Sequence, residues 1–183
     1  MTIPNLLTVA RILLTPLLAW LLVRKWMTAA FCIFFVAGLT DALDGLLARV
    51  LEQKSRLGSY IDPFADKFLL ITSFLLLWKI GEIPSWLVVI TVGRDVFIVG
   101  GFFFLFLYGM RFEIRPLTSS KLTTLFELGT VFALLGKSIL ELPAWMYSAS
   151  FVATAGFSML SGGQYLLYGV SLVKGHRSEN AAR

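Results

Sequence analysis

The feature that most constrains this chain is a series of long apolar runs. A helix that crosses the hydrocarbon of a bilayer needs roughly 20 mostly apolar residues. Six such runs can be read, at about 6–25, 27–49, 63–80, 85–108, 120–140 and 146–173. Hydrophobic residues make up 57% of the sequence and charged ones 15%, a balance too apolar for a water-soluble domain. The expectation is an all-α integral membrane protein: six transmembrane helices in one bundle over residues 1–173, then a polar, solvated tail at 174–183. The first run has no basic leader ahead of it and reads as a retained span. The single cysteine, Cys32, excludes an intrachain disulfide and reads as core packing among Phe and Ile.

Basic residues set the orientation. With six spans both termini share a side, and on it fall Lys54, Arg56, Arg111, Arg115, Lys174 and Arg177. The other side has little beyond Arg24, Lys25, Lys79 and Lys137. The termini and the connection after the second run are therefore expected on the cytoplasmic side. The net charge of +5 suits anionic lipid head groups and an anionic substrate, and no feature points to nucleic acid.

Where the second run ends, the stretch from Asp41 to Asp66 reads DALDGLLARVLEQKSRLGSYIDPFAD. Asp41 and Asp44 are three apart, so on a helix both carboxylates project from one face. Gly45 and Ala48 adjoin that face with almost no side chain, which lets a bulky group or another backbone approach. Arg49 sets a forked cation one turn beyond Gly45. After a short polar connection come Asp62 and Asp66, again one helical turn apart. Asp62-Pro63 leaves two readings open: a helix starting there, with Asp as cap and Pro in the first turn, or an earlier start with Pro63 inside. Carboxylates near a bilayer are expensive and mark function. Four of them suit hard divalent cations such as Mg²⁺ or Mn²⁺, which prefer oxygen ligands. Solvated or salt-bridged aspartates at a span end are the plainer alternative.

Other polar residues stand inside or beside the apolar runs. Asn5, Thr8 and Arg11 recur at three-residue intervals, hence on one side of the first span. Arg11 facing lipid would be costly, so it should turn inward and find a carboxylate, with snorkelling to the interface as the alternative. Lys67 can pair with a carboxylate or reach a phosphate. The pair in Gly93-Arg94-Asp95 reads either as a buried ion pair or as a substrate contact. Arg111, Arg115 and Lys121 form a cationic cluster, an anion pocket or else an ordinary positive-inside flank. Glu127 is a candidate partner for Arg11 or Arg94. The glycines of the last span, Gly156, Gly162, Gly163 and Gly169, allow close helix approach within the bundle or across a dimer.

The run Asp41-x2-Asp44-Gly45-x2-Ala48-Arg49-x8-Gly58-x3-Asp62-x3-Asp66 resembles the signature of the CDP-alcohol phosphatidyltransferases, with no position missing. The resemblance implies a membrane enzyme that moves a phosphatidyl group from CDP-diacylglycerol to an alcohol and releases CMP, with its polar active site near the cytoplasmic face. It implies that Asp41, Asp44, Asp62 and Asp66 hold one or two Mg²⁺ or Mn²⁺ ions and that Asp66 is also the catalytic base. Asn5, Thr8, Gly45, Ala48, Arg49, Gly58 and Ser55, six residues after Arg49, fall at donor-contacting positions. The stretch RPLTSSKLTT is similar to a segment of phosphatidylglycerophosphate and cardiolipin synthases that lies beside the acceptor's phosphate. That places Ser119, Lys121 and Thr123, with Arg111 and Arg115, at the acceptor. The acceptor is then sn-glycerol 3-phosphate or, as the alternative, phosphatidylglycerol. The resemblance further suggests a homodimer in a bacterial inner (plasma) membrane. A divalent-cation transporter is a remote alternative, since these aspartates cluster at one end rather than through the membrane depth.

Overall fold

The computed structural model describes the backbone of residues 3–50, 56–107 and 118–181, and the side chains of 10–40, 65–101 and 118–171. All regular structure among the described residues is helical. The helices are α1 (Ile3–Val23), α2 (Met27–Val50), α3 (Arg56–Lys79), α4 (Ser85–Leu107), α5 (Thr118–Leu135), the single turn α6 (Lys137–Leu140) and α7 (Ala144–Ala181).

The long elements follow the apolar runs, and their ends follow local backbone chemistry. Helices α1 and α3 close in the same way. The amide of Lys25 donates to Leu22 O and that of Trp26 to Leu21 O, while Gly81 donates to Trp78 O and Glu82 to Leu77 O. This is the Schellman arrangement, which needs a left-handed residue just past the helix. Gly81 supplies it with φ +87°, and Lys25 supplies it with φ +59° despite its side chain.

Three boundaries differ from expectation. Helix α3 begins at Arg56, so Pro63 lies inside it. The expected fifth span breaks at Gly136, whose carbonyl accepts the amides of Ile139 and Leu140 to form α6. Helix α7 runs through most of the expected tail, to Ala181, because KGHRSENA holds no proline and several good helix formers. Among the described residues, no helix is long and apolar enough to cross a membrane.

The chain divides into two compact units, residues 1–84 with 128–147 and residues 85–127 with 148–183. In the first, α1 packs against both α2 and α3. Its core takes Leu18 and Leu22 from α1, Phe34 and Ala37 from α2, Phe74 and Leu77 from α3, and Val131, Leu134 and Leu135 from the end of α5. Phe31 packs on Phe132 with ring centroids 4.8 Å apart. In the second unit the buried set is largely polar: Thr91, Arg94 and Asp95 of α4, Thr123 and Glu127 of α5, and Thr154, Ser158 and Ser161 of α7. Large apolar side chains such as Leu13, Val89 and Leu167 point outward. Cys32 is exposed rather than packed in the core, one of the outward positions on α2.

Candidate active site

Helix α2 is continuous through Val50, so Asp41, Asp44, Gly45, Ala48 and Arg49 all fall on one helix. Helix α3 likewise carries Gly58, Asp62 and Asp66 together. The second reading of Asp62-Pro63 therefore holds. Pro63 has no N–H to give the Ser59 carbonyl, a local cost that the helix absorbs. Both aspartate pairs keep the one-turn spacing that lets their carboxylates share a face. The side chains of these residues, Asp66 apart, lie outside the described ones, as do those of Asn5 and Thr8 on α1. Ser55, Arg111 and Arg115 lie outside the described residues altogether.

Asp66 is half-buried, and its Oδ1 accepts a hydrogen bond from Nη1 of Arg11. The guanidinium is almost fully enclosed, with 1% of the side chain exposed against 38% for Asp66. Arg11 has turned inward rather than snorkelled to the interface. A buried cation needs an anion, and the last aspartate of the signature supplies one. Thr15 donates its hydroxyl to Arg11 O at 2.9 Å, one turn along the same helix.

In the second unit Arg94 is the centre of the polar interior. Its Nη1 meets Asp95 Oδ1 at 2.6 Å, with both side chains buried. Nη2 donates to Ser120 Oγ at 2.8 Å and also to Ser161 Oγ. The guanidinium carbon lies 6.0 Å from the Tyr165 ring centroid. Of the two readings of Gly93-Arg94-Asp95, the buried ion pair is present, and through its hydroxyl partners Arg94 joins α4, α5 and α7.

The part of the expected acceptor segment from Thr118 onward forms the first turns of α5. Ser119 donates to Oε1 of Gln164 on α7. Thr123 is fully buried, and its hydroxyl lies 2.9 Å from Ser119 O and 3.0 Å from Phe157 O, so its proton serves backbone carbonyls. Lys121 is exposed.

Residues 1–160 match the family of CDP-alcohol phosphatidyltransferases. The chain belongs to that family. It is 34% identical over 163 residues to a probable cardiolipin synthase (CMP-forming) of Drosophila melanogaster, covering 80% of this chain and 49% of that protein. It is 33% identical over 130 residues to a CDP-diacylglycerol--glycerol-3-phosphate 3-phosphatidyltransferase of Aquifex aeolicus, covering 69% of this chain and 71% of the relative. A protein of the same description from Pseudomonas fluorescens is 46% identical over 80 residues, 42% of this chain and 41% of that one. The chain thus spans half or less of the length of the cardiolipin synthases it matches.

For a CDP-alcohol phosphatidyltransferase, the donor set on α2 and α3 fits a divalent cation by its chemistry. The four aspartates fall as two one-turn pairs along two helices that both pack against α1. Sequence reasoning missed Ser120, Ser161 and Gln164. Thr154, Ser158, Ser161 and Tyr165 recur at helical spacing on α7, a signal that was available, but small residues in an apolar run first suggest helix contact.

Proposed function

We propose that this chain transfers the phosphatidyl group of CDP-diacylglycerol to sn-glycerol 3-phosphate, giving phosphatidylglycerophosphate and CMP. The observation that carries the reading is the complete aspartate signature set on two continuous helices within the family match. Asp41, Asp44, Asp62 and Asp66 would hold one or two Mg²⁺ or Mn²⁺ ions. Bound there, a divalent cation neutralises pyrophosphate charge and polarises the reacting phosphorus. Asp66 accepts the proton of the acceptor hydroxyl. The hydroxyl oxygen bonds to the phosphatidyl phosphorus as the bond to the CMP phosphate breaks, and CMP departs. Gly45 and Ala48 leave room for the cytidine end of the donor, while Arg49 and Ser55 supply charge and a hydroxyl. Arg111, Arg115 and Lys121 are the acceptor-phosphate residues, in one segment with Ser119 and Thr123, whose hydroxyls hold Gln164 and backbone carbonyls in place. Such a site works by positioning and by charge stabilisation.

Membrane residence belongs to the same proposal, with both termini cytoplasmic and two copies associating as a homodimer. Its support is an inverted polarity: Arg11, Arg94, Asp95 and Glu127 are buried while Leu13, Val89, Met159 and Leu167 are exposed. All five tryptophans also stand at or beside the connections 24–26, 80–84 and 141–143, and each is exposed. Tryptophan gathers at membrane–water interfaces, where its ring meets lipid and its N–H meets water.

A second reading, with phosphatidylglycerol as acceptor and cardiolipin as product, is favoured by one observation. The match to the Drosophila protein named a probable cardiolipin synthase covers more of this chain than the Aquifex match, at similar identity. The test is CMP release from CDP-diacylglycerol by purified protein in lipid vesicles, with Mg²⁺ or Mn²⁺ and each acceptor in turn. Product from glycerol 3-phosphate upholds the first reading, and cardiolipin from phosphatidylglycerol alone upholds the second. No CMP release with either acceptor overturns both.

A further inference from the structure

The Arg94 cluster does more than satisfy a buried charge. Asp95 neutralises the guanidinium at 2.6 Å, so the pair can stay enclosed without an external counter-ion. The other end of the fork is then committed to two hydroxyls, Ser120 on α5 and Ser161 on α7. A planar guanidinium fixes the angle between the groups it binds, which a lysine ammonium does not. One residue before Ser120, Ser119 donates to Gln164 on α7, and three residues after it, Thr123 reaches Phe157 O on the same helix. The start of α5 is therefore tied on both sides of Lys121, while Lys121 itself stays exposed.

We propose that Arg94 is a positioning residue for the acceptor: through Ser120 and Ser161 it fixes the first turn of α5 and so sets where the Lys121 ammonium meets the acceptor's phosphate. The proposal rests on reading the Ser119–Thr123 segment as the acceptor-phosphate site. Arg94 has no contact with substrate in this scheme and acts through α5. A point charge loosened by even an ångström loses much of its value in a positioned site, so the effect falls on the acceptor and spares the donor.

The experiment is steady-state kinetics of CMP release with donor and acceptor varied in turn, using whichever acceptor the wild-type protein uses. Arg94→Met leaves Asp95 buried without its cation and threatens folding, so Ser120→Ala and Ser161→Ala carry the test, with melting temperatures recorded for each. Each serine variant is expected to raise the acceptor KM about threefold to tenfold, the range for loss of one hydrogen bond, with kcat and the donor KM little changed. In a Lys121→Ala background the same serine substitutions should add almost nothing, because residues acting through one another are non-additive. Serine variants that lower the melting temperature without separating the two KM values would overturn the proposal, as would an undiminished effect in the Lys121→Ala background. If Lys121→Ala alone leaves the acceptor KM unchanged, the acceptor-site reading itself has failed and takes the proposal with it. That result is distinct from one in which Lys121→Ala acts and the serines do not.

Discussion

Arg11, enclosed on α1, forms an ion pair with Asp66, one helical turn past Asp62 on α3. This contact ties the first helix to the signature and sets a positive charge against the carboxylate proposed to serve both metal and proton. A unit charge beside a ligand opposes a divalent cation, and partial exposure of Asp66 weakens that opposition without removing it. We expect Arg11→Met to bind Mn²⁺ more tightly, by about tenfold, while turnover falls because the carboxylate is no longer oriented. Direct Mn²⁺ titration of the purified variant checks the first part and CMP release the second. Weaker Mn²⁺ binding would mean that Arg11 organises the metal ligands rather than competing with the metal.

The remaining aspartates should be intolerant of change. Asp41→Asn, Asp44→Asn and Asp62→Asn would each remove one proposed anionic ligand and are expected to lose nearly all CMP release. A chelator should do the same to the wild-type protein, reversibly on adding Mg²⁺ or Mn²⁺. Substantial activity in saturating chelator, or in Asp44→Asn, would sink the metal assignment.

Asp66→Asn should behave differently from its neighbours. If Asp66 accepts the hydroxyl proton, donor binding should stay within about tenfold of wild type while turnover falls by on the order of 10² or more. Equilibrium binding of CDP-diacylglycerol, set beside single-turnover CMP release, separates the two quantities. Equal losses in both would make Asp66 chiefly a ligand.

What was legible in the sequence depended on the range of the interaction. An arginine facing lipid is costly, so the inward turn of Arg11 could be read as one of two outcomes, beside snorkelling to the interface. The identity of its partner could not, because Asp66 is far along the chain and only packing of α1 on α3 brings them together. Asp95 adjoins Arg94, so that ion pair was one of two readings, whereas Ser120 and Ser161 looked like ordinary small residues in helical runs. Asp-Pro left two helix starts open, and α3 takes the earlier one, at Arg56. The break at Gly136 was not read. A Cβ there would lie 2.7 Å from Cδ1 of Leu140 and 2.9 Å from Cε2 of Phe31, and spacing along the chain does not reveal the second approach.

The ends of α1 and α3 offer a test of local backbone chemistry alone. Lys25 holds φ +59°, where glycine carries no steric cost and lysine does. Gly81 solves the same problem at the end of α3. We expect Lys25→Gly to stabilise the protein by about 0.5–1 kcal/mol, the left-handed strain relieved less the added freedom of the unfolded chain. Thermal unfolding in detergent, read against Gly81→Ala as the opposite change, measures it. A melting temperature lowered by Lys25→Gly would mean that the lysine side chain contributes more than its backbone strain costs.

The last prediction concerns the acceptor. A phosphate monoester is a compact dianion, and binding it from water calls for cations free to converge on it. Lys121 is exposed and available, and Arg115 belongs to the same basic stretch in the sequence. Thr123 is buried with its proton directed at Ser119 O and Phe157 O. We therefore expect Lys121→Ala and Arg115→Ala each to raise the acceptor KM by about tenfold, roughly 1.4 kcal/mol, with the donor KM moving much less. Thr123→Val should act mainly on stability, through the lost hydrogen bonds to those carbonyls, and shift the acceptor KM less than Lys121→Ala does. Phosphatidylglycerol brings one charge and its own acyl chains, so an enzyme using it would depend less on this cluster. Kinetics with each substrate varied, paired with thermal unfolding, distinguish these outcomes. A Thr123→Val variant of unchanged stability whose acceptor KM rises as far as that of Lys121→Ala would place the threonine hydroxyl on the substrate itself.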